Sequence, residues 1–102
     1  MNLTQKQWTK RQKPTSNSVI IDVRTPEEYS LGHLKDSMLL NIRNPQVFMD
    51  GLAKLDISKS YFVYCRSGSR SEQACHIMKT KGITKCYNLI GGIIEWGGQI
   101  NH

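Results

Sequence analysis

The feature that most constrains this chain is a set of short apolar runs that do not alternate with polar residues. Residues 18–23 read SVIIDV and residues 61–65 read YFVYC. A half-exposed strand alternates, whereas a continuous β-branched or aromatic run of this length belongs to a strand covered on both faces. Each run leads into a helix-start signal. After the first, Thr25, Pro26 and Glu28 supply an N-cap, a first-turn proline and a capping-box acid, so a short helix runs to about Leu31 and stops at Gly32. Residues 37–42 form a second, weaker strand, and Asn44-Pro45 opens a helix through about Lys54 that buries Phe48, Leu52 and Leu55. The 61–65 run passes through an Arg66-Ser67-Gly68 turn into a helix over 69–81, with Ser69 and Glu72 as its capping box and Gly82 as its stop. Residues 85–89 are a further strand, and Ile93, Ile94 and Trp96 begin a last short helix ending near Gly97-Gly98.

Strands that alternate with helices lie too far apart in sequence for hairpins. They imply an α/β fold with a largely parallel sheet, whose ligand site lies at the carboxyl ends of the strands. At 102 residues the chain holds a single domain over 1–102, with its core at about 19–98 and a polar segment at 1–18. That segment is basic at Lys6, Lys10, Arg11 and Lys13, but it is rich in Gln and Lys and poor in apolar residues, unlike a targeting peptide. No apolar run reaches the roughly 20 residues that span a bilayer, so the expected setting is cytoplasmic, with no membrane partner. The basic residues behind the net charge of +6 are scattered and not interleaved with aromatics, which argues against nucleic acid; a small anionic substrate accounts for the balance equally well, and for most of these lysines a solvated basic surface is the simpler reading. Three cysteines cannot all pair, and their spacing matches neither a zinc site nor a CxxC pair, which is the usage of a reducing compartment. A monomer is the default.

Cys65 stands apart from the other two. It ends a buried strand and precedes a glycine-bearing turn and a helix N-terminus, where unsatisfied N–H groups and the cations Arg66 and Arg70 favour a thiolate. Gly68 lets the backbone curl around an anion. Cys75, on a helix face with Ala74 and Met78, and Cys86, in a strand, read as core residues. This reading needs a thiol that solvent reaches.

The string Cys65-Arg66-Ser67-Gly68-Ser69-Arg70 resembles the active-site loop of rhodanese-type sulfurtransferases, especially the single-domain, thiosulfate-using type. Asp22-Val23-Arg24 with Glu28, Tyr29, Gly32 and His33 resembles the family's opening segment, and 88–92 with Trp96 resembles its closing one. The chain departs from the family at 37–41, where alanine and proline are common, and before Val19, where the segment is short and polar for the family's first strand and helix.

The resemblance implies a rhodanese-like fold, with five strands and helices on both faces. It also implies a sulfurtransferase that moves a sulfane sulfur from thiosulfate, or another small anionic donor, to a cyanide or thiol acceptor through a Cys65 persulfide. Cys65 is then the catalytic residue, and Arg66, Ser67, Gly68, Ser69 and Arg70 bind the substrate, with both arginines on the dianion. No metal and no organic cofactor are implied. The alternatives are a persulfide carrier or relay served by a sulfur-carrier protein, and a phosphatase or arsenate reductase. The second is disfavoured because those enzymes place five residues between cysteine and arginine, where this chain places four. Asp22, Arg24 and His33 read as structural, Gly91-Gly92 as a turn, and Trp96 as core.

Overall fold

A computed structural model describes residues 1–12 and 17–102; residues 13–16, within the polar segment, lie outside the described residues. Asn2–Leu3 forms strand β1, and Thr4 with Gln7 makes the capping box of helix α1 (Gln5–Arg11). Strand β2 (Ser18–Asp22) leads to α2 (Pro26–Ser30), capped by Thr25 and Glu28 as expected. Strands β3 (His33–Leu34) and β4 (Ser37–Leu39) follow, then α3 (Pro45–Ala53) behind the N-cap Asn44. Strand β5 (Ser60–Tyr64) runs through the Cys65 turn into α4 (Ser69–Thr80). Strand β6 (Cys86–Leu89), a 3-10 turn (Ile93–Glu95) and strand β7 (Ile100–Asn101) close the chain.

Five strands make one parallel sheet in the order β1-β6-β5-β2-β4. Central β5 shows why its run does not alternate. Tyr61, Val63 and Cys65 pack under α3 and α4 with Phe48, Leu52, Ala74 and Met78, while Phe62 and Tyr64 pack on the other face with Trp8, Leu34 and Leu89. Each side chain from Tyr61 to Tyr64 therefore meets apolar neighbours. Cys75 and Cys86 lie in the first of these layers, as expected of core residues. The connections leaving β2 and β5 run in opposite directions, toward β4 and β6, so a crevice opens where these two strands end. No helix among the described residues is long and apolar enough to cross a membrane.

Three expectations need correction. The core does not begin near residue 19: β1 is the sheet's fifth strand, and α1 buries Trp8, whose indole N–H donates to the Tyr87 carbonyl at 3.2 Å. The core also does not end at 98, because β7 pairs antiparallel with β3, joining Leu34 to Ile100. And Ser69 does not cap α4. The N-cap is Gly68, Ser69 is the first helical residue, and the Glu72 carboxylate accepts instead from the Asn2 amide at 2.7 Å. Lesser differences are that β5 stops at Tyr64, one residue before the cysteine, and that β4 is shorter than 37–42, although the Leu40 and Ile42 N–H groups still bond to β2 and its extension. Trp96 is half-buried, edge-on to Trp8 at 5.7 Å.

Candidate active site

The alternation of β5 sends the Cys65 side chain toward the head of α4. The chain turns there through Gly68, whose φ of +109° lies where a side chain would be strained, and the turn brings its N–H groups back onto the sulfur. Gly68 N–H donates to Sγ at 3.0 Å and the Ser71 hydroxyl donates at 3.3 Å. Burial pushes the thiol up, but the Ser71 hydroxyl and the N–H groups of Ser71, Gly68 and Ser67 outweigh it, and Cys65 lies below the ordinary thiol range. Ser71 is the third residue of the helix, the position whose N–H a capping side chain normally satisfies. The sulfur takes the cap's place, which is why no serine caps α4 and why the macrodipole acts directly on the thiolate.

The expectation of a solvent-exposed thiol is not met: Cys65 is 0% exposed. Cys65 belongs to the same buried apolar layer as Val63, Ala74 and Cys75.

Ser71 belongs to a buried polar chain that the sequence reading passed over. Its hydroxyl also lies within hydrogen-bond reach of the Asn88 side-chain oxygen and of the Gly68 carbonyl (3.1 Å), and the Asn88 amide donates to Gly68 O at 3.2 Å and to Asn2 Oδ1 at 3.0 Å. One hydroxyl proton serves these acceptors and the sulfur in turn. A signal was available. Ser71 falls at helical spacing on the face of Ala74, Cys75 and Met78, and Asn88 is a poor strand former inside a strand.

The other loop residues divide. Ser67 and Ser69 are exposed and Gly68 is buried. Arg66 is exposed, and its guanidinium meets no carboxylate among the described residues. Arg70 is bound by both Nη atoms to Glu28, at 2.7 and 2.8 Å. This pairing holds Glu28 down to about 2 and raises Arg70, which also feels the Cys65 charge. The two arginines that the sequence grouped on one dianion thus have different surroundings: Arg66 is exposed and meets no carboxylate among the described residues, whereas Arg70 is paired with Glu28 of α2.

The surroundings are built to hold the turn. The N–H groups of Ile93 and Ile94 bond to the carbonyls of Cys65 and Arg66 at 2.9 and 3.0 Å. Gly92 permits this approach, since a Cβ there would strike the Arg66 carbonyl and come within 2.6 Å of Cys65 O. Asp22 and Arg24 form a buried pair at 2.7 Å. Arg24 also reaches Gly32 O at 2.6 Å, and Tyr64 donates its hydroxyl to Asp22 at 2.6 Å. His33 stacks on Tyr29 with ring centres 3.8 Å apart and bonds to the Tyr29 carbonyl. None of these three touches the sulfur.

Comparison with known proteins gives a consistent picture. A family model described as the rhodanese-like domain matches residues 5–99. A protein named sulfurtransferase from Allochromatium vinosum is 34% identical over 88 residues, covering 86% of this chain and 79% of that protein. A probable adenylyltransferase/sulfurtransferase, MoeZ, from Mycobacterium tuberculosis is 33% identical over 84 residues, covering 79% of this chain but only 20% of that protein. Among solved structures, a rhodanese-like domain protein from Staphylococcus aureus superposes with a TM-score of 0.81 at 24% identity, covering 98% of this chain and 95% of that one, a likeness of fold.

Proposed function

The chain belongs to the rhodanese-like domain family, and we propose that it is a sulfurtransferase in which Cys65 carries sulfane sulfur as a persulfide, with thiosulfate as a competent donor. One observation carries this reading: N–H groups and a hydroxyl converge on a single sulfur at a helix head, the arrangement that stabilises an anion there. The Cys65 thiolate attacks the outer sulfur of thiosulfate. A new S–S bond forms, the bond to the sulfonate sulfur breaks, and sulfite leaves with the electron pair. Cyanide or a thiolate then takes the outer sulfur, and the electron pair returns to Cys65. The N–H groups of Ser67, Gly68 and Ser71 hold the terminal sulfur's charge as they hold the thiolate's, while Arg66 draws the donor in. Because Cys65 is fully covered, each transfer requires the cover over the sulfur to part, on the microsecond-to-millisecond scale of loop motions.

The covered sulfur favours a second reading, a relay in which a docked sulfur-carrier protein opens the turn and free thiosulfate is a poor donor. Three free thiols support a reducing, cytoplasmic setting for either reading.

Thiocyanate production from thiosulfate and cyanide tests the proposal. Turnover that disappears in Cys65→Ala supports the enzyme; loading only from a protein persulfide supports the relay. Turnover that survives in Cys65→Ala removes both.

A further inference from the structure

The polar chain beside Cys65 does not end in the interior. From Asn88 it continues to Asn2 on β1, whose side-chain amide donates to the Glu72 carboxylate at 2.7 Å. Asn2 and Glu72 are exposed, whereas Asn88 and Ser71 are buried, so the chain joins a surface charge to the nucleophile. Two groups that can only accept fix the direction of its bonds. The Glu72 carboxylate takes the Asn2 amide N–H, which leaves Asn2 Oδ1 facing the Asn88 amide at 3.0 Å. The Gly68 carbonyl also takes an Asn88 N–H, which leaves Asn88 Oδ1 facing the Ser71 hydroxyl. That oxygen and the Cys65 sulfur therefore compete for one proton, with the Gly68 carbonyl as a third acceptor at 3.1 Å. To give its proton to the thiolate, the hydroxyl must turn away from Asn88.

Hydrogen bonds in a chain polarise one another, and a charge at one end strengthens each bond behind it. Glu72 pairs with no cation among the described residues, so its charge acts on the Asn2 amide undiminished. The pull makes Asn2 Oδ1 a stronger acceptor for Asn88, and Asn88 Oδ1 a stronger acceptor for Ser71. We propose that Asn2 and Asn88 are positioning residues that carry the charge of Glu72 to the Ser71 hydroxyl, so that this surface carboxylate sets how far the hydroxyl's proton is shared with Cys65. The assignment deepens the persulfide reading by naming what moderates its nucleophile. A thiolate that receives less of its hydroxyl donor keeps more of its nucleophilicity, which falls as a thiol becomes more acidic. The other charges around the site are Arg70 with Glu28 of α2, the Asp22–Arg24 pair at the end of β2, Arg66 in the turn and Glu95 beside Gly91. The substitutions below leave all of them in place.

The test follows iodoacetamide alkylation of Cys65 against pH at about 1 M salt, where a Debye length of about 3 Å removes the direct field of an exposed carboxylate. Glu72→Gln keeps an acceptor for Asn2 without the charge. Asn2→Ala breaks the chain but keeps the backbone bonds between β1 and β6. Each variant is expected to move the midpoint to lower pH and to raise the acid-side rate about twofold, the size of a roughly 10–30% change in one charge-assisted bond. The two substitutions together should do no more than either alone, and neither should have an effect in a Ser71→Ala or Asn88→Ala background. If Asn88→Ala does not fold, the Ser71→Ala background decides. Unmoved midpoints, shifts that persist without the Ser71 hydroxyl, or a Glu72→Gln effect that Asn2→Ala does not share overturn the assignment. A rate that falls equally at every pH also overturns it, because that is the mark of a contact that only holds the turn. The readout needs no sulfur transfer, so these failures leave the persulfide reading standing. A wild-type Cys65 whose midpoint lies in or above the ordinary thiol range counts against both.

Discussion

Replacing Ser71 by Ala removes the one side-chain donor among the groups that stabilise the Cys65 anion. The hydroxyl lies 3.3 Å from Sγ, a long contact to a charged acceptor, so its contribution belongs at the lower end of the ~1.5–3 kcal/mol typical of such bonds. At about 1.36 kcal/mol per pKa unit, losing it leaves roughly one-tenth of the thiolate on the acid side of the titration. The assay is the pH dependence of iodoacetamide alkylation at Cys65, resolved from Cys75 and Cys86 by peptide mass spectrometry. The midpoint is expected to move to higher pH and the acid-side rate to fall about tenfold, with little change on the alkaline plateau. The cover over the sulfur slows both proteins alike and cancels in the ratio. The substitution also strips the Asn88 oxygen of a donor, at about 1–3 kcal/mol of stability, so a thermal melt must first show that the variant is folded at the assay temperature. An unmoved midpoint, or an equal loss at every pH, refutes the reasoning. The latter would mean that the hydroxyl holds the turn rather than the charge.

Other consequences are as specific. Trp8→Ala is expected to cost about 3–5 kcal/mol in urea unfolding, because the indole is 1% exposed among Phe62, Leu89 and Trp96; a negligible loss would put α1 outside the cooperative unit. Glu28 titrates at about 2 in the folded protein against an ordinary 4.5, so its pairing with Arg70 stabilises fully above pH 4.5 and is lost as pH falls toward 2. Glu28→Gln should cost on the order of 1 kcal/mol at neutral pH for this half-buried, solvent-screened pair, with the gap to wild type closing below pH 4.5; a gap independent of pH contradicts the assignment. Arg66→Ala should raise the KM for thiosulfate without altering the melt, whereas Arg70→Ala should lower the melting temperature; the opposite pattern would reverse the roles given to the two arginines.

Much of this architecture is visible in the residues, and where it is not the reason is physical. SVIID and YFVY read as central strands because both faces of each are covered, and Thr25 with Glu28 closes the capping box its spacing advertises. Helix α1 is obscure because a single side chain, Trp8, anchors QKQWTKR, which leaves no apolar periodicity to read, although Thr4 and Gln7 carried a capping signal. Two-residue strands such as β1 and β7 have no pattern of their own and exist through partners distant in the chain. The same limit hides the site's electrostatics. Arg70 looks free for a ligand until the fold brings Glu28, 42 residues away, against it. The start of α4 at Ser69 is legible but its cap is not: the N-cap is Gly68, because a cysteine sulfur fills the role the rules assign to a serine.

The claim that Cys65 is a sulfur-carrying thiolate has a direct measurement: the intact mass of the protein after incubation with thiosulfate. The wild type should gain the mass of one sulfur atom and lose it on adding cyanide, and Cys65→Ala should gain nothing. An adduct that persists in Cys65→Ala contradicts the account, as does a wild type that stays unloaded by thiosulfate and by every persulfide donor offered.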